Sequence, residues 1–158
     1  MRVILIAGFS FLFLAVSAKT QPVGAGETQS AKLVEVQSER LWTMKTINNI
    51  LLEVMVNVRR GNLPEVAKAA EKVTGLLAII PSLSPEGSDI GETRIRPKVW
   101  KDFGHYKELA QNAVTAAKKL GETAASGDQA STMSAFVLLA GTCKKCHKPY
   151  RKKKNTED

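Results

Sequence analysis

Apolar residues recur at helical spacing through most of the chain. Between about Ala31 and Arg60, residues Met44, Ile47, Leu51, Val54 and Val58 alternate steps of three and four, the seam of a helix packed in a bundle. Gly61 closes that helix. Asn62 is placed to cap a second one, with Pro64 in its first turn and Glu65 at the third position, close to a capping box, and this helix runs to about Ile80. Pro81, Pro85, Gly87 and Gly91 mark the longest loop, which ends at Arg96. Pro97 opens a third helix whose apolar side is Trp100, Phe103, Ala110, Val114, Ala117 and Leu120. Ser126-Gly127-Asp128 gives a stop and a new cap, and a fourth helix carries Met133, Phe136, Val137 and Ala140 toward a lysine-rich tail. No internal repeat and no strand is expected.

Four helices with short connections predict an all-α fold, an antiparallel four-helix bundle running up-down-up-down. The start of the first helix, the end of the second, the start of the third and the end of the fourth then share one end. Beyond residue 18 the chain has six aromatic residues, and all but Phe136 fall at that end: Trp42, Trp100, Phe103, Tyr106 and Tyr150. The clustering suits a broad aromatic-lined pocket, although each ring alone is equally an ordinary core or end-sealing residue.

The length of 158 residues allows one domain. With 24% charged and 44% hydrophobic residues, a disordered chain and a polytopic membrane protein are excluded. Only residues 3–16 form an apolar run without charge. Preceded by Arg2 and followed by Val16-Ser17-Ala18, this run reads as a secretory signal peptide over residues 1–18, cleaved after Ala18. Fourteen apolar residues fall short of the ~20 that span a membrane, which makes an uncleaved anchor the minor reading. Residues 19–30, rich in Gly, Thr and Gln, read as a flexible lead-in, residues 31–154 as the folded domain and residues 155–158 as a tail. The expected location is the periplasm, with no membrane span left after cleavage.

The net charge is +8; removing residues 1–18 takes away Arg2 and no acid, leaving +7. Seven Lys and Arg residues sit between Lys144 and Asp158. An exported chain seldom meets nucleic acid, so an acidic protein partner is expected, with an anionic membrane surface as the alternative. The run Lys152-Lys153-Lys154 is most simply a solvated tail, though its place near Cys143–His147 makes docking conceivable.

Two cysteines in an exported chain ordinarily suggest a disulfide. Here Cys143 and Cys146 are followed at once by His147, and Cys-x-x-Cys-His is the attachment signature of c-type haem: two thiols bond the porphyrin and the imidazole binds iron. On a helix, spacings of three and four bring all three side chains toward one flat ligand. A thioredoxin-like dithiol would need alternating strands, and a zinc site would need more ligands than two Cys, His147 and the remote His105.

Arg96-Pro97-x-x-Trp100-x-Asp102, Gly127-Asp128 and Cys143-Lys144-Lys145-Cys146-His147-Lys148-Pro149-Tyr150-Arg151 together resemble, in order, the pattern of class II c-type cytochromes, the cytochrome c′ family. Arg40 and Met44 match the arginine and the haem-facing residue of that family's first helix. The resemblance implies one covalent haem c on Cys143 and Cys146, His147 as proximal ligand, Arg40 near a haem propionate, and Tyr106 against the haem. Arg40 lies four residues before Met44 on one helical face, so both can reach one ligand; a solvated surface arginine is the alternative.

The family has two chemical types. One is five-coordinate and high-spin, open to small gases such as nitric oxide; the other is low-spin, with a first-helix methionine as sixth ligand, and carries electrons. Met44 permits the second. The stretch Met44 to Leu51 also resembles the first helix of the periplasmic four-helix b-type cytochrome, where the matching methionine is a ligand. We therefore read Met44 as a ligand and the protein as a non-enzymatic electron carrier, with a plain seam methionine and a gas-binding module as the alternatives. Ligation requires Met44 and His147 to lie at one depth, which helix rise allows only if the first helix begins several residues after Ala31. His105 reads as a surface residue, and Met55 and Met133 as packing. A redox partner protein is expected; a homodimer stays open.

Overall fold

The computed structural model describes residues 25–153. The expected signal segment 1–18, residues 19–24 of the lead-in, Lys154 and the 155–158 tail lie outside the described residues. The helices are α1 (Ala25–Arg60), α2 (Leu63–Ala78), α3 (Lys98–Lys101), α4 (Phe103–Ala125) and α5 (Gln129–Tyr150). Since α3 is a single turn, the body is the expected antiparallel four-helix bundle. Among the described residues the extended backbone pairs only at one bridge, between Ile95 and Arg151. No helix there is long and apolar enough to cross a membrane.

The core unites the predicted seam of α1 and part of that of the third predicted helix with residues of α2 and α5 that the sequence reading does not name, while Met133 and Phe136 pack partly buried against it. Ile47, Val54 and Val58 of α1 join Val66, Ala70, Val73 and Leu77 of α2, Ala113, Val114, Ala117 and Leu120 of α4, and Ala135 and Leu139 of α5. Met44 and Leu51 pack at its edge. The pairing is unequal: α4 lies closely along both α2 and α5, whereas α1 leans on α2 and scarcely meets α5.

Four boundaries and faces differ from expectation. Residues 25–30, read as lead-in, already belong to α1; Ala25, Glu27 and Gln29 offset the poorer formers Gly26, Thr28 and Ser30, and extending a helix already formed needs no new nucleus. At its 36 residues α1 spans roughly 54 Å against roughly 33 Å for the 22 residues of α5, so its first turns overhang the bundle beside the long loop. Leu33 there reaches Gly87, whose φ of +81° needs a glycine. Asn62 makes no side-chain cap; its amide donates to Asn57 Oδ1 (3.2 Å), and Glu65 pairs with Lys68 (2.8 Å) instead. The third helix is broken at Asp102 (φ −142°, ψ 34°), whose carboxylate accepts from Lys98 Nζ (2.9 Å) and the Tyr150 hydroxyl (2.8 Å). That tie to α5 is tertiary and invisible to helical periodicity. Val137 is 61% exposed, because two residues along a helix from both Ala135 and Leu139 turns a side chain by roughly 200°, away from the core.

Asp128 does cap α5, accepting from the Ser131 amide (3.0 Å) and hydroxyl (2.6 Å). The side-chain bond from Ser131, then the backbone one, hold its carboxyl below the usual carboxylate range. A depressed folded-state value adds stability above the unfolded value of ~3.9 and gives it up as pH falls through the folded value. Asp128→Ala should therefore lower the melting temperature at pH 7, and the gap to the natural protein should narrow as pH falls below the usual carboxylate range, as thermal melts in acid would show.

Candidate functional site

Where α1 diverges from α5, a cleft of about 540 Å³ opens at the end shared by the long loop. That size is ordinary for a cofactor site, roughly 300–1,000 Å³. One wall is α1, through Arg40, Leu41 and Met44; the other is α5, through Cys146, His147 and Tyr150. Ile95, Val99 and Tyr106 close the space between them. Tyr106 is buried and meets Tyr150 edge-on, with ring centroids 5.2 Å apart. Each phenol has a partner: Tyr106 Oη lies 3.0 Å from Ser84 Oγ, and Tyr150 donates to Asp102. Trp100 Nε1 donates to the Ser84 carbonyl (3.1 Å), and Phe103 packs 5.9 Å from Tyr106. All five rings fall at this end: Tyr106 and Tyr150 line the cleft, and Trp100 and Phe103 pack behind it. Trp42 stands apart in being 61% exposed. Its neighbours one turn away, Ser38, Glu39, Lys45 and Thr46, are all polar, so Trp42 has no apolar face to pack against there.

Regular helix through residue 150 fixes the spacing of Cys143, Cys146 and His147. All three are half-buried; Cys146 and His147 line the cleft and Cys143 stands just beyond it, one turn back. Both thiols are free. Burial pushes the Cys146 thiol up to about 11, and it raises Cys143 as well. Burial, then the charges of Arg151 and Arg94, lower the His147 value, leaving a neutral imidazole with a lone pair to offer a metal near pH 7. No cluster of three or more ligating side chains occurs among the described residues. One imidazole beside two thiols suits a metal that arrives already held in a macrocycle.

The electrostatics match such a ligand. The cleft is lined by Arg40, Lys45, Arg94 and Arg151 and by no Asp or Glu. A group bearing carboxylates is complementary to that lining. Arg40, for which a solvated position was the alternative, is only 6% exposed. Met44 and His147 share the cleft even though α1 begins before Ala31 rather than after it, because the overhang of α1 absorbs the difference in depth. His105 is exposed beside Glu108 (3.3 Å), as expected, and neither Met55 nor Met133 lines the cleft. The loop residues Thr93, Arg94 and Ile95 were not anticipated as part of the site. They follow no period; a Thr-Arg-Ile-Arg run just before Pro97 is their only signal in the sequence.

An antiparallel bundle splayed at one end, with thiols and imidazole of a haem-attachment motif on one side of the opening, defines a bundle-type haem protein. The family model described as Cytochrome C′ matches residues 35–151. Cytochrome c′ of Pararhodospirillum photometricum is 34% identical over 104 residues, 63% of this chain and 83% of that one. The crystal structure of cytochrome c′ from Thermochromatium tepidum superposes with a TM-score of 0.70 at 26% identity, covering 75% of this chain and 95% of the other. A nitric oxide complex of a cytochrome c prime variant from Alcaligenes xylosoxidans superposes at 0.69 with 25% identity, covering 77% and 97%. The chain belongs to the cytochrome c′ family, and its cofactor is covalent haem c.

Covalent attachment through the two half-buried thiols has a direct readout. Haem colour should survive denaturation and acid-acetone extraction, and replacing both Cys143 and Cys146 by Ala should abolish that survival.

Proposed function

We propose that the protein is an exported electron carrier of the periplasm rather than an enzyme. In this reading Cys143 and Cys146 hold the haem, His147 binds the iron from the α5 side and Met44 from the α1 side, Tyr106 packs against the macrocycle, and Arg40 faces a propionate. The observation that carries it is the presence of Met44 and His147 in the lining of one cleft, contributed by its two walls. Bound there, haem supplies a one-electron iron couple, and Met/His ligation would leave no open position and raise the reduction potential. A second reading, a five-coordinate haem that takes up small gases, is favoured by the relative solved with nitric oxide.

The partner in electron exchange is an acidic protein. Lys144, Lys145, Lys148, Lys152 and Lys153 are exposed beside the cleft, and among the described residues none has a carboxylate within ion-pairing distance. A second copy of the chain is a further partner: Val34, Leu52 and Val56, each more than 40% exposed, follow one side of α1 and offer apolar surface to it.

Met44→Ala decides between the two chemistries. For an electron carrier the natural protein is low-spin and inert to carbon monoxide, and the variant becomes high-spin and binds the gas rapidly once reduced. If the natural protein is already high-spin and binds carbon monoxide as readily as the variant, Met44 is a packing residue and gas binding replaces electron transfer. For the partner, Lys152→Gln with Lys153→Gln should slow electron exchange with an acidic protein at low salt and leave the optical spectrum unchanged. The difference should fade as salt shortens the screening length toward ~10 Å at 0.1 M.

A further inference from the structure

The connection between α2 and α3 is long and almost without regular structure, yet Leu83, Ser84, Ser88, Thr93 and Ile95 within it are buried. Arg40 organises it. Its Nη1 donates to the Leu83 carbonyl (2.7 Å) and to Ser88 Oγ (2.7 Å), and its Nη2 to the Ser88 carbonyl (2.7 Å) and Thr93 Oγ1 (3.2 Å). Four of the five guanidinium donors are thereby spent on three loop residues, and no carboxylate among the described residues lies within ion-pairing distance.

Beyond Thr93 the same loop becomes a strap across the end of α5. Arg96 N donates to the Tyr150 carbonyl (2.9 Å) and Lys152 N to the Arg94 carbonyl (2.7 Å). Arg94 adds Nε and Nη2 bonds to the Lys152 carbonyl (3.0 and 2.7 Å). Within the strapped segment Arg151 N donates to the His147 carbonyl (3.0 Å). Arg40 stands one turn before Met44 on α1, so this chain of bonds runs from the α1 wall of the cleft, around its loop side, to the residue that follows His147 by one turn.

We propose that Arg40 is a positioning residue: by clamping Ser88 and Thr93 it sets the strap of 94–96 on the end of α5, and thereby the seat of His147 relative to α1. Removing it would leave the Leu83 and Ser88 carbonyls and Ser88 Oγ buried without donors, so the loop must loosen. A lysine keeps the charge but cannot reproduce the planar fork that reaches four acceptors at once. The resemblance assigns Arg40 to a propionate; the clamp is a separate role, which a propionate contact alone would not produce.

The test uses holoprotein and two measurements: hydrogen exchange at the Arg96 and Lys152 amides, which reports the strap, and the ferric electron-paramagnetic-resonance g values, which report axial-ligand geometry. Arg40→Met and Arg40→Lys should both speed exchange at these amides by about tenfold or more and shift the g values. Ser88→Ala, outside the cleft lining, should move both readouts part of the way. Combined with Arg40→Met it should add nothing, as expected of residues acting through one bond network. The proposal fails if Arg40→Lys restores both readouts, or if Arg40→Met shifts the g values while the strap exchanges as in the natural protein. Should Arg40→Met not fold, Arg40→Lys and Ser88→Ala still decide: a silent Ser88→Ala overturns the clamp.

Discussion

Side-chain size between the helices decides where this molecule can hold anything. Small residues face each other where α2 meets α4: a Cβ added at Gly121 would lie 3.5 Å from the Ala70 methyl, at ordinary contact distance. With α4 lying along both α2 and α5, closed on α5 through Ala113, Ala135 and Leu139, α1 keeps one close neighbour. It follows α2. The opening toward α5 is what remains, and the two tyrosines at its base fill only part of it. The cleft lies where α1 leaves α5 to pack chiefly against α2.

The polar groups at the closed base of the cleft are satisfied internally. Tyr106, Trp100 and Ser84 form one set of hydrogen bonds, and Tyr150, Asp102 and Lys98 another. The first joins α4 to the loop and the second joins the end of α5 to the break between α3 and α4. Because the rings are held by their polar tips as well as by burial, they present an ordered apolar surface to the ligand. The Tyr150 phenol, pushed up to about 12 by burial and by the Asp102 carboxylate, stays protonated and able to donate over the whole physiological range.

Helical period and one short motif made most of this legible. Four helices, the end at which the site lies, and the six residues Arg40, Met44, Tyr106, Cys143, Cys146 and His147 could all be named from the sequence, and five of these six line the cleft. What escaped was set by contacts between distant segments. The break at Asp102 depends on a tyrosine 48 residues away, and the role of Ser88 and Thr93 depends on an arginine in another helix. Trp42 and Arg40 show a different shortfall. Each was placed at the correct end, but the end of a helix says nothing about the face, and only the polar neighbours of Trp42 and the position of Arg40 between Gln37 and Thr43, both buried, separate the exposed residue from the enclosed one.

The turns at Gly61 and at Gly127 lie together at the far end from the cleft, tied by Gln129, whose amide donates to the Val58 carbonyl (2.7 Å). The described chain, by contrast, begins in the overhang of α1 and leaves beside Arg94, both at the cleft end. For anyone wishing to anchor this protein to an electrode, a bead or a fluorophore, the cleft end is the one to keep clear. The tight turns at 61 and 127 offer attachment points roughly a bundle length away, with the helices themselves as the spacer.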